Sequence, residues 1–135
     1  MDDIFVGRVM SSDVTTVTPD TLVEDAAQVL LEEKIGSLVV VDEHNALAGI
    51  LTSTDFVDIV AKSQPKAETT VERYMTTDVI TASAQDSIRD AADAMLENGV
   101  HHLPVVDDTE GVIGMVSTTD LAAYVSRVRK PSPPS

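Results

Sequence analysis

Gly49-Ile50-Leu51-Thr52-Ser53-Thr54-Asp55 returns 65 residues later as Gly114-Met115-Val116-Ser117-Thr118-Thr119-Asp120. Sliding the chain by that offset aligns it on itself without a gap. Met10-Ser-Ser-Asp13-Val14 meets Met75-Thr-Thr-Asp78-Val79, and Asp25-Ala26-Ala27 meets Asp90-Ala91-Ala92. Leu38-Val39-Val40-Val41-Asp42 meets Leu103-Pro104-Val105-Val106-Asp107. From Val6 to Lys62, 19 of 57 positions are identical, where chance gives about one in fifteen. The chain is a duplication, and the fold is sought as two copies of one unit.

The first copy spells out the unit. Val14 to Val17 is a β-branched run that predicts a strand. Thr21-Leu22-Val23-Glu24 has the spacing of a capping box and predicts a helix start. Ala26, Ala27, Leu30 and Leu31 supply an apolar stripe at helical spacing, ending near Lys34-Ile35-Gly36, with Gly36 as the expected C-cap. Leu38 to Val41 predicts a strand covered on both faces. Asp42 to Asn45 is a polar turn. Leu47 to Leu51 predicts the next strand, and Ser53 to Lys62 a second helix. In the second copy Ser87-Ile88-Arg89-Asp90 is the capping box, and Gly99 ends the helix that runs to about Asn98.

The expected class is α+β, with two repeats of order β-α-β-β-α. Their boundaries are 1–62 and 71–130, with a polar linker at 63–70 and a disordered tail at 131–135. A unit below roughly 60 residues is marginal alone. The two sheets are therefore expected to cover each other about a pseudo-twofold axis, leaving two quasi-equivalent clefts.

Composition narrows the function. The 135 residues carry 23 acids against 9 Lys and Arg, a formal charge of −14. That disfavours a nucleic-acid binder, which needs a basic face, and docking on an anionic membrane. Fifteen of the acids are Asp and only four residues are Lys, a balance that suits a salt-rich cytoplasm such as a halophile's, where self-repulsion is screened. With no Cys, thiolate metal sites and thiol nucleophiles are excluded. No apolar run reaches the roughly 18 residues of a membrane span, and the N-terminus has no secretory pattern, so a cytoplasmic location is expected.

The repeated Gly-x-x-(Ser/Thr)-x-x-Asp carries the local chemistry. It lies where a strand runs into a helix, whose first amides lack intrahelical acceptors and favour an anion. Thr52 or Ser117 adds a hydroxyl, and Asp55 or Asp120 a carboxylate able to accept from a ribose diol. The same spacing is also a plain helix cap, in which hydroxyl and acid satisfy backbone donors. Spacing alone leaves both readings open.

Taken together, these motifs resemble a tandem pair of CBS domains (cystathionine-β-synthase-type), a Bateman module, over residues 6 to about 128. The resemblance rests on Met-x-x-Asp-Val, the Asp-Ala-Ala helix, Val100-His101-His102-Leu103-Pro104-Val105-Val106-Asp107 and the two Gly-x-x-(Ser/Thr)-x-x-Asp motifs. It implies regulatory binding of an adenosine compound: AMP, ADP, ATP, NAD or S-adenosylmethionine. It places ribose on Asp55 and Asp120, phosphate on Thr52 and Ser117, and the base near Thr16 and Thr81. It also implies a homodimer, an effector protein that reads repeat geometry, and no catalysis. The alternative is a ligand-independent interaction module.

The repeats differ at one telling place. Gly36-Ser37 in the first stands against His101-His102 in the second. By the resemblance Ser37, His101 and His102 join the ligand-binding set, with the imidazoles near phosphate. The other reading is one buried and one surface His. Imidazole is a weaker anion partner than Arg, and with the net charge this favours AMP over ATP. Adjacent strand residues point to opposite faces, so the pair is a poor metal site. His44 is expected to be solvated. Met10, Met75, Met95 and Met115 read as core fillers. No nucleophile elbow, P-loop or dinucleotide glycine fingerprint is present.

Overall fold

A computed structural model describes residues 4–62 and 69–129. It contains α1 (Val6–Val9), β1 (Thr16–Val17), α2 (Val23–Glu33), β2 (Ser37–Val41), β3 (Leu47–Thr52) and α3 (Ser53–Lys62). A short 3-10 turn, Val71–Arg73, precedes α4 (Ile88–Asn98), β4 (His102–Asp107), β5 (Gly111–Ser117) and α5 (Thr118–Arg129). The composition is α+β. The expected linker residues 63–68 and the expected tail lie outside the described residues.

The chain forms two compact units whose limits cross the sequence repeats. Unit I holds Val14–Val79 with Asp108–Val112. Unit II holds the segment up to Asp13, then Ile80–Asp107, then the chain from Ile113. Each repeat's leading segment, the one bearing the Met, thus packs with the other repeat's sheet. The boundaries read from the sequence mark the duplication, whereas these mark packing.

In unit I the sheet has order β1-β2-β3. β2 lies in the middle, parallel to β1 with Thr16 opposite Val39, and antiparallel to β3 with Ser37 opposite Thr52. All five residues of β2 are buried, as its aliphatic run requires. Leu38, Val40 and Leu51 pack with Ala26 and Leu30 of α2 and with Val71. Only part of the expected helical stripe faces that core. Ala26 and Leu30 are buried, but Leu31 is 79% exposed, because one further residue turns the side chain about 100° off the buried face.

Both ends of α2 correct the sequence reading. Its N-cap is Leu22, without a side-chain bond, and the Val23 N–H donates to the Thr69 carbonyl at 2.9 Å. The Thr21 hydroxyl instead accepts the Thr18 N–H. A neighbouring backbone has taken over the role assigned to Thr21. At the other end Lys34, not Gly36, is the left-handed cap, with φ 56°. The turn after β2 does form as read. Asp42 Oδ1 accepts the N–H of His44 at 2.8 Å and of Ala46 at 2.9 Å. Those amides, Ala46 foremost, hold the Asp42 carboxyl below its usual range. Asn45 closes the turn and donates from Nδ2 to the Glu110 and Val112 carbonyls, at 2.9 and 2.8 Å.

In unit II β4 and β5 form a two-stranded sheet. The strand expected before α4 is reduced to one parallel bridge, Ala82 to Val105. Ala91 and Met95 of α4 pack with Val6, Ala82, Leu103, Val105 and Val116. Here the capping box forms in part. Ser87 is the N-cap and its hydroxyl accepts the Asp90 N–H at 3.1 Å. Gly99 is the left-handed C-cap at φ 64°. Met95 is buried and Met10 and Met75 are partly so, but Met115 belongs to neither apolar cluster.

Candidate ligand site

Each unit carries one copy of the repeated motif at a strand-to-helix junction. In unit I β3 ends at Thr52 and α3 begins at Ser53. Asp55 Oδ2 accepts the Thr52 N–H at 2.8 Å and the Thr52 hydroxyl at 3.1 Å, and the Asp55 N–H donates to Thr52 Oγ1 at 3.3 Å. This is a reciprocal cap. The Gly36 carbonyl accepts the Ser53 N–H at 2.9 Å, so the segment before β2 is tied to the helix start.

Register then decides which candidate residues share a face. Ser37 is opposite Thr52, and Thr16 is opposite Val39. Side chains alternate along a strand, so Ser37, Val39, Thr16 and Thr52 stand on one face, and Leu38, Val40 and Leu51 on the other, against α2. Thr16 is exposed, Ser37 is buried at 8% exposure and Thr52 is half-buried. Thr16, Ser37 and Thr52 therefore share one face across the three strands of this sheet, and Asp55 of α3 is tied to Thr52.

Unit II repeats the arrangement with different side chains. Asp120 Oδ2 accepts the Ser117 N–H at 2.9 Å, and Ser117 Oγ accepts the Asp120 N–H at 3.0 Å. The His101 carbonyl accepts the Thr118 N–H at 3.0 Å, as Gly36 does in unit I. His101 is exposed at the entry to β4, and His102, the first residue of β4, is half-buried. Burial, first, and then the neighbouring His101 hold His102 below its ordinary value of 6.5, and the Asp120 carboxylate opposes them. Thr81, exposed, sits beside the Ala82 bridge to Val105.

The glycines of the motif have a structural reason. A Cβ on Gly49 would lie 2.7 Å from the Thr76 carbonyl oxygen and 2.8 Å from Met75 Sδ. One on Gly114 would lie 2.5 Å from Met10 Sδ and 3.0 Å from the Ser11 carbonyl oxygen. Met75 and Met10 are lids on the two motif strands. Each is followed by a hydroxyl residue paired to that strand: Thr76 with Ile50, and Ser11 with Met115. Thr76 and Ser11 are exposed, and the residues they pair with lie two positions before Thr52 and Ser117. The sequence reading did not include them as site residues, although the repeated Met-(Ser/Thr)-(Ser/Thr)-Asp-Val was the signal. Among the described residues no cluster of three or more His, Asp or Glu is placed to hold a metal ion, and no helix is long and apolar enough to cross a membrane.

The CBS domain matches this chain twice, over residues 6–62 and 71–127. The chain belongs to the CBS-domain family. A 17.7 kDa protein of Acidianus ambivalens is 38% identical over 117 residues, covering 87% of this CBS pair and 70% of that protein. A homoserine O-acetyltransferase of Methanosalsum zhilinae is 33% identical over 129 residues. That match covers 96% of this chain but 25% of the enzyme. The CBS pair thus spans about a quarter of that relative's length. Among solved structures, the CBS-domain pair of protein MJ0100, in complex with 5'-methylthioadenosine and S-adenosyl-L-methionine, aligns with a TM-score of 0.85. It is 30% identical, over 94% of this chain and 99% of that one. CBSX2 in complex with AMP aligns with a TM-score of 0.82 at 26% identity, over 93% and 98%.

Proposed function

We propose that this CBS pair is a regulatory module that binds an adenosine compound of low charge, AMP foremost, at the two strand-to-helix motifs. The observation that carries the reading is the match, along almost the whole chain, to a CBS-domain pair solved with two adenosine ligands. The local chemistry agrees with it. In each motif one carboxylate oxygen, Oδ2, holds the cap, and among the described residues Oδ1 of Asp55 and of Asp120 makes no hydrogen bond. The cap fixes the rotamer and leaves an acceptor for a ribose hydroxyl. Of the first three helical amides in each motif, two are already bonded, those of Ser53 and Asp55 and of Thr118 and Asp120. The phosphate is therefore assigned to the Thr54 or Thr119 N–H with the neighbouring Thr52 or Ser117 hydroxyl, and the base to Thr16 or Thr81.

Charge ranks the ligands. A chain at −14 repels a triphosphate more than a monophosphate. AMP, 5'-methylthioadenosine and S-adenosylmethionine are therefore placed ahead of ADP, NAD and ATP. Bound ligand acts by favouring one arrangement of the module, which it can do only through different affinity for the alternatives. A second copy of the chain and an effector protein are the proposed readers, in the cytoplasm. The module itself is not catalytic on this reading, since the acetyltransferase relative matches over only a quarter of its length.

One observation favours a second reading, a ligand-independent interaction module. Asp55 and Asp120 already have structural work as caps. Thermal melting with adenosine, AMP, ATP, 5'-methylthioadenosine and S-adenosylmethionine, with GMP as control, separates the two. A ligand at 100 times its Kd stabilises by about 2.7 kcal/mol. A rise with adenosine compounds and none with GMP supports the sensor, and no rise with any supports the scaffold.

A further inference from the structure

The two motifs differ in two ionisable groups at the strand start, and the ligand reading above brings the phosphate to that end of the strand. In unit I the residues next to the helix start are Gly36 and Ser37. In unit II they are His101 and His102, fixed there by the His101 carbonyl on the Thr118 N–H. Two groups act electrostatically on His102: Asp120, from the first turn of α5, and His101, from its own chain segment. The ionisable residues of α4, the other helix packed on β4, are Arg89, Asp90, Asp93 and Glu97, all exposed. β5 carries none.

The geometry points to a proton-gated site: the unit II motif binds a phosphate-bearing adenosine ligand more tightly as His102 takes up a proton, while the unit I motif, with Ser37 in that place, lacks this control. The inference rests on the ligand reading above and adds its regulation. At neutral pH the half-buried imidazole is uncharged and offers a phosphate at most one N–H. Protonated, it offers a positive charge at the repeat position where Ser37 stands opposite Thr52 in unit I, in a chain with few cations. By linkage, a ligand that favours the protonated imidazole must draw a proton in as it binds. Acidification would then raise the affinity of one site and not the other, so the same AMP level would give different occupancies.

The test titrates AMP between pH 7.5 and 5 into variants that isolate one site. Asp55→Asn disables unit I and leaves the unit II site, and Asp120→Asn does the reverse. AMP loses phosphate charge in the same range, so each profile is read against that variant combined with His102→Gln. In the Asp55→Asn background, His102 should improve AMP binding at pH 5 over pH 7.5 by roughly tenfold relative to His102→Gln. Calorimetry near pH 6 in buffers of different ionisation enthalpy should show proton uptake that His102→Gln removes and His101→Gln keeps. In the Asp120→Asn background, His102→Gln should change nothing. Binding with equal pH response in both backgrounds, or unaltered by His102→Gln, overturns the gate and leaves the ligand reading standing. No AMP binding by wild-type protein at any pH overturns both.

Discussion

Asp120 Oδ2 accepts the main-chain N–H of Ser117 at 2.9 Å while Ser117 Oγ accepts the N–H of Asp120 at 3.0 Å. Asp55 and Thr52 stand in the same relation in unit I. An acid proposed to hold ribose therefore also starts a helix, and the two roles separate by chemistry. Asn keeps an oxygen for the backbone but presents an N–H₂ donor where the second carboxylate oxygen was. Asp55→Asn with Asp120→Asn should keep the urea midpoint close to wild type and weaken AMP binding at least tenfold. Asp→Ala at either site should also lower stability by about 1 kcal/mol. Equal AMP affinity in wild type and the double Asn variant would leave only the cap.

Crowding at the two glycines differs in kind. The added Cβ at Gly49 meets a carbonyl oxygen at 2.7 Å, whereas at Gly114 its nearest neighbour is the end of the Met10 side chain at 2.5 Å, with backbone at 3.0 Å. Gly49→Ala should destabilise by about 1–3 kcal/mol. Shortening Met75 should not recover this. Gly114→Ala should couple strongly to Met10→Ala in a double-mutant cycle of denaturation free energies. Additivity at Gly114 and Met10 would contradict the packing described.

Lys34 adopts a left-handed conformation that Gly99 fills at the equivalent cap. An L-residue there carries a penalty of roughly 1–2 kcal/mol, partly offset by the greater unfolded-state freedom of Gly. Lys34→Gly should stabilise by about 0.5–1 kcal/mol. Gly99→Ala should destabilise by about 1 kcal/mol, with no steric part, since nothing lies within 4 Å of its added Cβ. Urea denaturation of both measures this, and a Lys34→Gly protein weaker than wild type would count against the αL cap.

The burial that holds His102 neutral has a stability consequence. Its folded pKa is below its unfolded value of about 6.5, so below that value the unfolded chain binds more protons. The stability it contributes is fully present above pH 6.5 and is lost as pH falls from there through the depressed folded value. His102→Gln should flatten that part of the profile, read as urea midpoints at pH 5, 6 and 7.5. An unchanged slope would mean that other groups carry the acid sensitivity.

The formal charge of −14 predicts salt dependence. Raising KCl from dilute buffer to molar concentration shortens the Debye length to about 3 Å. The melting temperature should rise across that range. Full stability in dilute buffer would count against a salt-adapted chain.

Much of this was legible in the sequence, because a duplication reports each element twice. The 65-residue offset located α2 to α5 but not the short α1, and Leu38–Val41 read as a buried strand because nothing in it is polar. Errors arose where a distant segment replaced a local signal. Thr21 looked like a cap, but the Thr69 carbonyl serves the helix end. Gly36 looked like the stop, but the helix ends two residues earlier at Lys34. The exchange of Met10 and Met75 between repeats was not legible, since no spacing rule says which copy of a repeated strand a repeated Met covers. Spacing also left cap and ligand site open; the structure forms the cap, and among the described residues one carboxylate oxygen of each motif makes no hydrogen bond.

The most direct measurement is calorimetric titration of the wild-type chain with AMP, 5'-methylthioadenosine and S-adenosylmethionine in molar KCl, on protein shown to be folded by circular dichroism. The account predicts saturable binding of at least one of them, at up to two sites per chain. Absence of heat with all three, confirmed by equilibrium dialysis in the same buffer, would contradict an adenosine sensor.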